Sequence, residues 1–165
     1  MNQAIIKIRE SASPGLVFKN IPDILQNIYQ TRGVRQQQDL VYSLQNLPSP
    51  TLMKSNIVAA NLLAEAIRQQ QKLLIIADFD VDGATSCALM LLALRSMGAK
   101  NVDYLVPDRF KFGYGLTPEI VDVAALRSPD LIITVDNGIA SISGVDRANE
   151  LGINVLITDH HLPGT

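Results

Sequence analysis

Four short apolar runs constrain the fold of this chain more than any other feature of its sequence. Leu73–Ala77, 102–106, Leu131–Val135 and Asn154–Thr158 are rich in Leu, Ile and Val with little polar alternation, and they begin 29, 29 and 23 residues apart. Strands of that kind are buried on both faces, as in a parallel sheet covered by helices. Helical segments separate them. One runs from Thr85 and Ser86, read as its cap, to Met97 with Gly98 as the stop. A second is opened by Thr117-Pro118-Glu119 and reaches about Arg127, and a third spans 143–151 before Gly152. The expected order is βαβαβαβ, an α/β fold with a right-handed parallel sheet of about four or more strands and flanking helices.

Ahead of Lys72 the period is helical. Ile21, Ile24, Leu25, Ile28 and Tyr29 mark one amphipathic helix, with Pro22 in its first turn. Leu40, Val41, Leu44 and Leu47 predict a second, stopped by Pro48-Ser49-Pro50, and Met53, Ile57, Ala60, Ala64 and Ile67 a third, ending in Gln69-Gln70-Gln71. The expected organisation is a helical segment over 1–71 packed on the core, followed by an α/β domain over 72–165. With 165 residues, 47% of them hydrophobic and 18% charged, the chain can bury one core and is not a disordered one. No apolar run approaches the ~18–20 residues of a membrane span. The N-terminus MNQAIIKIRE lacks the apolar core and cleavage site of a leader, so the expectation is a cytoplasmic protein with no membrane partner. The single cysteine, Cys87, excludes a disulfide framework and a Cys-rich zinc site.

The acidic residues carry the chemistry. Residues 1–70 hold seven Lys and Arg against four Asp and Glu, whereas residues 71–165 hold seven against twelve. A net charge of −2 argues against gripping nucleic acid over the whole surface, but leaves room for a local groove. Asp78, Asp80 and Asp82 follow the first strand, Asp136 the third, and Asp159-His160-His161 the fourth. Ligands of open α/β sheets bind at the carboxyl ends of strands, so three separate segments converge on one crevice. Carboxylates gathered there raise one another's pKa values unless cations lie between them. Oxygen and imidazole donors without thiolates suit two divalent ions of the Mn2+ or Mg2+ type. Such a pair, sharing one bridging carboxylate, favours hydrolysis of a phosphoester.

Taken singly, an Asp at a strand end serves a turn or a cap. The coincidence at three strand ends is what favours the cluster. Thr85 and Ser86 read first as caps, although the helix N-terminus beside them is suited to a substrate phosphate. The stretch from Leu73 to Val81 also fits a scheme in which Asp78 is a nucleophile forming an aspartyl-phosphate, but Asp82, Asp136 and the His pair have no place in it.

Ile76-Ala77-Asp78-Phe79-Asp80-Val81-Asp82-Gly83-Ala84-Thr85-Ser86, Val135-Asp136-Asn137-Gly138 and Thr158-Asp159-His160-His161-Leu162-Pro163 closely resemble the first three motifs of the DHH phosphoesterase superfamily. Thr31-Arg32-Gly33-Val34, the stretch from Tyr104 to Phe110, and Gly113-Tyr114-Gly115-Leu116 are similar to its RecJ-type branch of single-stranded-DNA-specific 5′→3′ exonucleases. The resemblance implies that Asp80, Asp82, Asp136 and His160 hold the two ions, with Asp136 as the bridge. It implies that His161 faces the scissile phosphate, that Asp78 is an accessory acid, and that Asp159 orients the histidines. Arg109 and Tyr114, with Thr85 and Ser86, become candidates for contact with phosphate or base.

The implied activity is metal-dependent hydrolysis of single-stranded DNA to 5′-mononucleotides in repair and recombination, with a single-strand-binding protein and a helicase as partners. Phosphodiesterases of short oligonucleotides or cyclic dinucleotides, and a non-catalytic binding module, are the alternatives within the superfamily. Two departures stand out. Ile76 occupies the position, four residues before Asp80, where much of the superfamily has a histidine ligand. The sequence also stops at Thr165, before the family's fourth motif and second domain, so this chain alone is expected to fold but to hydrolyse DNA poorly or not at all.

Overall fold

The computed structural model describes residues 16–163, with the side chain of Arg109 outside the described part. The N-terminal stretch read as leaderless falls in residues 1–15 and lies outside the described residues. The chain divides into two compact units between Leu52 and Met53.

The first unit buries little apolar surface. Helix α1 (Asp23–Thr31) forms where the period requires it, with Pro22 at its N-cap. Phe18 is buried edge-on to Tyr29, with ring centroids 6.4 Å apart, and the buried Gln30 donates to the Leu16 carbonyl. The expected second helix does not form. Two 3-10 turns, Gln37–Leu40 and Leu44–Asn46, replace it, and Tyr42, Leu44 and Leu47 stay exposed. A short helix needs packing on its apolar face, and here the Asp39 carboxylate instead closes the first turn through the N–H groups of Arg35 and Gln36.

The second unit runs α2 (Asn56–Arg68), β1 (Leu73–Ala77), α3 (Val81–Ser96), β2 (Val102–Leu105), α4 (Arg109–Phe112), α5 (Pro118–Ala125), β3 (Leu131–Val135), α6 (Ile142–Glu150) and β4 (Asn154–Thr158). All neighbouring strands pair in parallel, in the order β2-β1-β3-β4. β1 and β3 are buried at every residue, whereas the edge strands β2 and β4 are only partly covered. The expectation of two-sided burial is therefore corrected for the edges. Alternate residues of the central strands feed two cores. Leu73, Ile75, Leu131 and Ile133 pack with α2 and α3, while Leu74, Ile76 and Ile132 pack with α5 and α6. Full burial of each such side chain is worth about 1.5–3 kcal/mol, which is why the most apolar runs hold the centre.

Ala66, Leu62, Leu63 and Ile67 of α2 belong to the first core, so this helix is grouped with the sheet. The sequence period places the division at 71/72; the packing places it at 52/53. Helix α3 starts four residues before the expected Thr85. Its N-cap is Asp80, whose Oδ1 accepts the Gly83 N–H at 3.2 Å, while the Thr85 hydroxyl donates back to the Val81 carbonyl inside the helix. Helix α5 opens as read, with Thr117 capping and Pro118 first. Among the described residues, no helix is long and apolar enough to cross a membrane.

The connections position the site. From β1 the chain passes through α3, on one face, to β2. It then returns through α5, on the opposite face, to β3 on the other side of β1. The winding reverses between β1 and β3, and strand ends part at such a point to leave a crevice.

Candidate metal centre

One arm of the crevice is the β1–α3 turn. Asp78 Oδ1 accepts the Phe79 N–H at 2.8 Å, and the first turn of α3 comes down on the Asp78 backbone. A Cβ at Gly83 would lie 2.4 Å from the Asp78 carbonyl oxygen, so this close approach needs glycine. With Asp80 capping and Asp82 in the first turn, two exposed acids stand at the positive end of the helix dipole.

The other arm is built from the ends of β3 and β4. Asp136 adopts a left-handed backbone at φ +62°, uncommon outside glycine, while its N–H still donates to the Thr158 carbonyl at 3.0 Å. Its side chain is 4% exposed. Asp159, also buried, accepts the Ile139 N–H at 3.0 Å, the His161 N–H at 3.0 Å and the His161 Nδ1–H at 2.7 Å. That last bond fixes the ring proton on Nδ1 and leaves Nε2 as the acceptor. His160 Nε2 lies 2.8 Å from Asp136 Oδ1 and 3.7 Å from Asp82 Oδ2, spanning the two arms.

Asp80, Asp82 and Asp136 offer ligand atoms within 4.8 Å of one another, and so do Asp136, His160 and His161. Asp136 is common to both groups; Asp78 and Asp159 belong to neither. Tyr114 donates to the Asp136 carbonyl at 3.2 Å and lies 3.2 Å from His161 Nδ1, so it stands inside the centre, against the histidine. Arg109 begins α4, and its side chain lies outside the described residues. Ser86 is half-buried within α3, and the Thr85 hydroxyl is spent on the helix backbone.

The electrostatics follow from this packing. Burial pushes the Asp136 carboxyl above the ordinary range, the Asp82 charge adds to it, and His160 opposes it. Asp82 is held below that range, first by its side-chain contact with Asp80 and then by its own backbone N–H. Burial acts upward on Asp159 too, but the N–H groups of Ile139 and His161 outweigh it and hold that carboxyl low. The bond to Asp159 raises His161. Burial and the surrounding carboxylates, Asp159 foremost, push the Tyr114 hydroxyl up to about 12, so it stays a donor. Asp136 Oδ1 is buried, and it receives a hydrogen bond from His160 only when that ring carries its proton on Nε2. A buried, under-compensated carboxylate beside two more acids and two imidazoles has the chemistry that a divalent cation relieves.

Sequence reasoning assigned no role to Asn137. It is 2% exposed, and its Nδ2 donates to the carbonyls of Ile76 and Val135. The available signal was a polar residue next to a strand-end aspartate after a wholly apolar run.

A doubly covered parallel sheet with a carboxylate and histidine cluster at its switch point defines a class of α/β domain with a metal-type centre. Residues 72–165 match the model of the DHH family, N-terminal domain, and the chain belongs to that family. Among curated proteins it is 51% identical over 145 residues to the single-stranded-DNA-specific exonuclease RecJ of Dickeya dadantii, covering 88% of this chain and 25% of that protein. It is 49% identical over 144 residues to the protein of that name from Escherichia coli, covering 87% and 25%. A solved structure of an exonuclease RecJ bound to manganese superposes with a TM-score of 0.65 at 36% identity, over 72% of this chain and 30% of the other. The Mn2+ complex of RecJ from Thermus thermophilus gives 0.61 at 35% identity, over 83% and 19%. The chain thus spans about a quarter of the length of the curated relatives it matches.

Proposed function

We propose that this crevice holds two divalent ions, Mn2+ or Mg2+, and forms the hydrolytic centre of a single-stranded-DNA-specific 5′→3′ exonuclease. The observation that carries the reading is Asp136, a buried carboxylate common to both ligand groups. Relatives at 43–51% identity that bear this description, and a similar structure bound to manganese, support it. In this reading Asp80, Asp82, Asp136 and His160 hold the ions, which when bound neutralise phosphoester charge and lower the pKa of water. Asp159 holds His161, and its raised basicity favours an imidazolium that stabilises charge on the phosphate or protonates the leaving oxygen. Tyr114 steadies that ring, and Asp78 serves as an accessory acid at the β1 end. Arg109 and the start of α3 contribute to substrate binding.

The test is Mn2+-dependent release of 5′-mononucleotides from labelled single-stranded DNA, against the same sequence as duplex and against a dinucleotide. It is run on this chain and on a chimaera in which the matched part of this chain replaces the corresponding 145-residue stretch of the Dickeya relative. The expected result is slow release by the chain alone, efficient single-strand hydrolysis by the chimaera, and none when either carries Asp136→Asn. Hydrolysis by the Asp136→Asn chimaera at the unsubstituted rate would sink the proposal, and activity confined to the dinucleotide would transfer it to a short-substrate phosphodiesterase.

A further inference from the structure

The two arms of the centre come from separate strands, and one side chain ties the ends of those strands together. Asn137 Nδ2 donates to the Ile76 carbonyl of β1 at 3.1 Å and to the Val135 carbonyl of β3 at 2.9 Å. Ile76 lies two residues before Asp78, and Val135 immediately precedes Asp136. The chemistry fixes the orientation of the amide, because the flipped rotamer would aim Oδ1 at two carbonyl oxygens. Aspartate at this position has no donor and would repel both.

The other half of the amide is what separates this residue from an ordinary stabilising contact. Asn137 Oδ1 is buried with no hydrogen-bond partner among the described residues. A buried acceptor left unpaired costs stability relative to an apolar side chain of similar shape. Pairing within the protein therefore accounts for only half of this amide. The same side chain borders a cavity of about 10 Å³ that Asp78, Gly113 and Gly115 also line, room for one water. Next to it, Asp136 sits in its left-handed conformation, and Gly138 follows at φ +111° with Thr134 Oγ1 packed where a Cβ would be. Strained backbone of this kind persists when its surroundings hold it in place.

We propose that Asn137 is a positioning residue for the metal centre: by clamping the carboxyl ends of β1 and β3 together, it holds the Asp136 carboxylate at the distance from Asp80 and Asp82 that two ions need. This rests on the two-ion reading above, whereas the clamp itself is a property of the metal-free chain. Two measurements separate them. The first is amide hydrogen exchange in the metal-free protein, comparing Asn137→Ala with the unsubstituted chain and with Ile133→Val, a conservative core substitution in β3. Loss of the clamp accelerates exchange at the Asp136 N–H roughly tenfold and leaves the mid-strand Ile133 N–H unchanged, as local opening does. A general loss of stability would accelerate both alike.

The second is Mn2+ binding by calorimetry and electron paramagnetic resonance at a temperature where every variant is folded. Asn137→Ala should weaken binding about ten- to a hundredfold, as removal of a ligand's support commonly does, and alter the spectrum of the bound ions. Ile133→Val should bind as the unsubstituted chain does, and Asn137→Ser, which keeps one donor, should fall between. Should Asn137→Ala fail to fold, the serine variant decides on the same two readouts. Unchanged exchange at Asp136, or unchanged Mn2+ affinity in a folded Asn137→Ala protein, would overturn the proposal. If the unsubstituted chain binds no Mn2+, the affinity comparison moves to the chimaera described above, where absence of binding refutes the metal reading and the exchange result decides the clamp.

Discussion

The two arms of the crevice solve different problems with the same residue type. On the β3–β4 side, Asp136 and Asp159 are almost wholly buried, at 4% and 1% side-chain exposure; on the β1–α3 side, Asp82 is 62% exposed. The buried acids are placed by backbone: a left-handed residue for one and two N–H groups for the other. The exposed acids are placed by a helix start and stay in contact with water. Burial fixes geometry and raises the electrostatic cost of charge, while exposure lowers the cost and leaves the side chain free to adjust. A centre with one arm of each kind has a fixed reference carboxylate and a compliant partner.

The sharpest way to break this contrast is Asp136→Asn. The neutral isostere should reduce Mn2+ affinity more than about a hundredfold, since it removes the anionic ligand common to both groups. It should also raise the unfolding midpoint of the metal-free protein at pH 7. The folded carboxyl titrates above its unfolded value of 3.8, so its charge costs nothing below that pH and the full penalty applies above the raised value. The gain should therefore disappear as the pH is lowered through that window. A lower midpoint at pH 7 would show that Asp136 stabilises the apo fold and that the buried arm carries no electrostatic cost.

A smaller effect is expected from Asp159→Asn, because Asp159 acts through His161. Mn2+ affinity should fall about tenfold or somewhat more, and the fold should lose about 2 kcal/mol near pH 6 with the hydrogen bonds to the carboxylate. Denaturant unfolding against pH supplies the sign. Asp159 contributes stability that is present above 3.8 and lost as the pH falls through its lowered folded value. His161 contributes stability that is complete below 6.5 and lost as the pH rises through its raised one. The variant should lose the acid limb of that profile and flatten the alkaline one; an unchanged acid limb would mean that Asp159 is not held by its neighbours.

The smallest effect belongs to the compliant arm. Asp82→Asn should weaken Mn2+ binding less than Asp136→Asn does and shift the metal-free unfolding midpoint far less, as expected for an exposed acid. If Asp82 and Asp136 prove equal on both readouts, the division between the arms is wrong.

Much of this arrangement is legible in the sequence. Buried parallel strands advertise themselves by uninterrupted Leu, Ile and Val, and an acid directly after each such run must lie at a carboxyl end, so the convergence of Asp80, Asp82, Asp136 and His160 follows from topology. The start of α3 was not legible, because Asp80 caps the helix and belongs to a ligand group at once, and the Thr-Ser pair further on offers the more familiar cap. Leu40 to Leu47 carries helical spacing, but spacing predicts a helix only where something packs against it. Asn137 is harder to read for another reason: its bonds go to two backbone carbonyls, and its one sequence signal is a polar residue beside a strand-end aspartate.

The exposed edge of β4 has a consequence in the test tube. The segment from Gly152 to Thr158 has no charged residue and no proline, and one side of its backbone has no strand beside it among the described residues. Edge strands are commonly shielded by a lysine, a proline or a bulge; this one has only partial burial to discourage a neighbour. At high concentration two molecules can continue each other's ladder through these rows of N–H and C=O groups. This seven-residue margin of the sheet is therefore a place where copies of the polypeptide can associate, apart from the acids that dominate its charge.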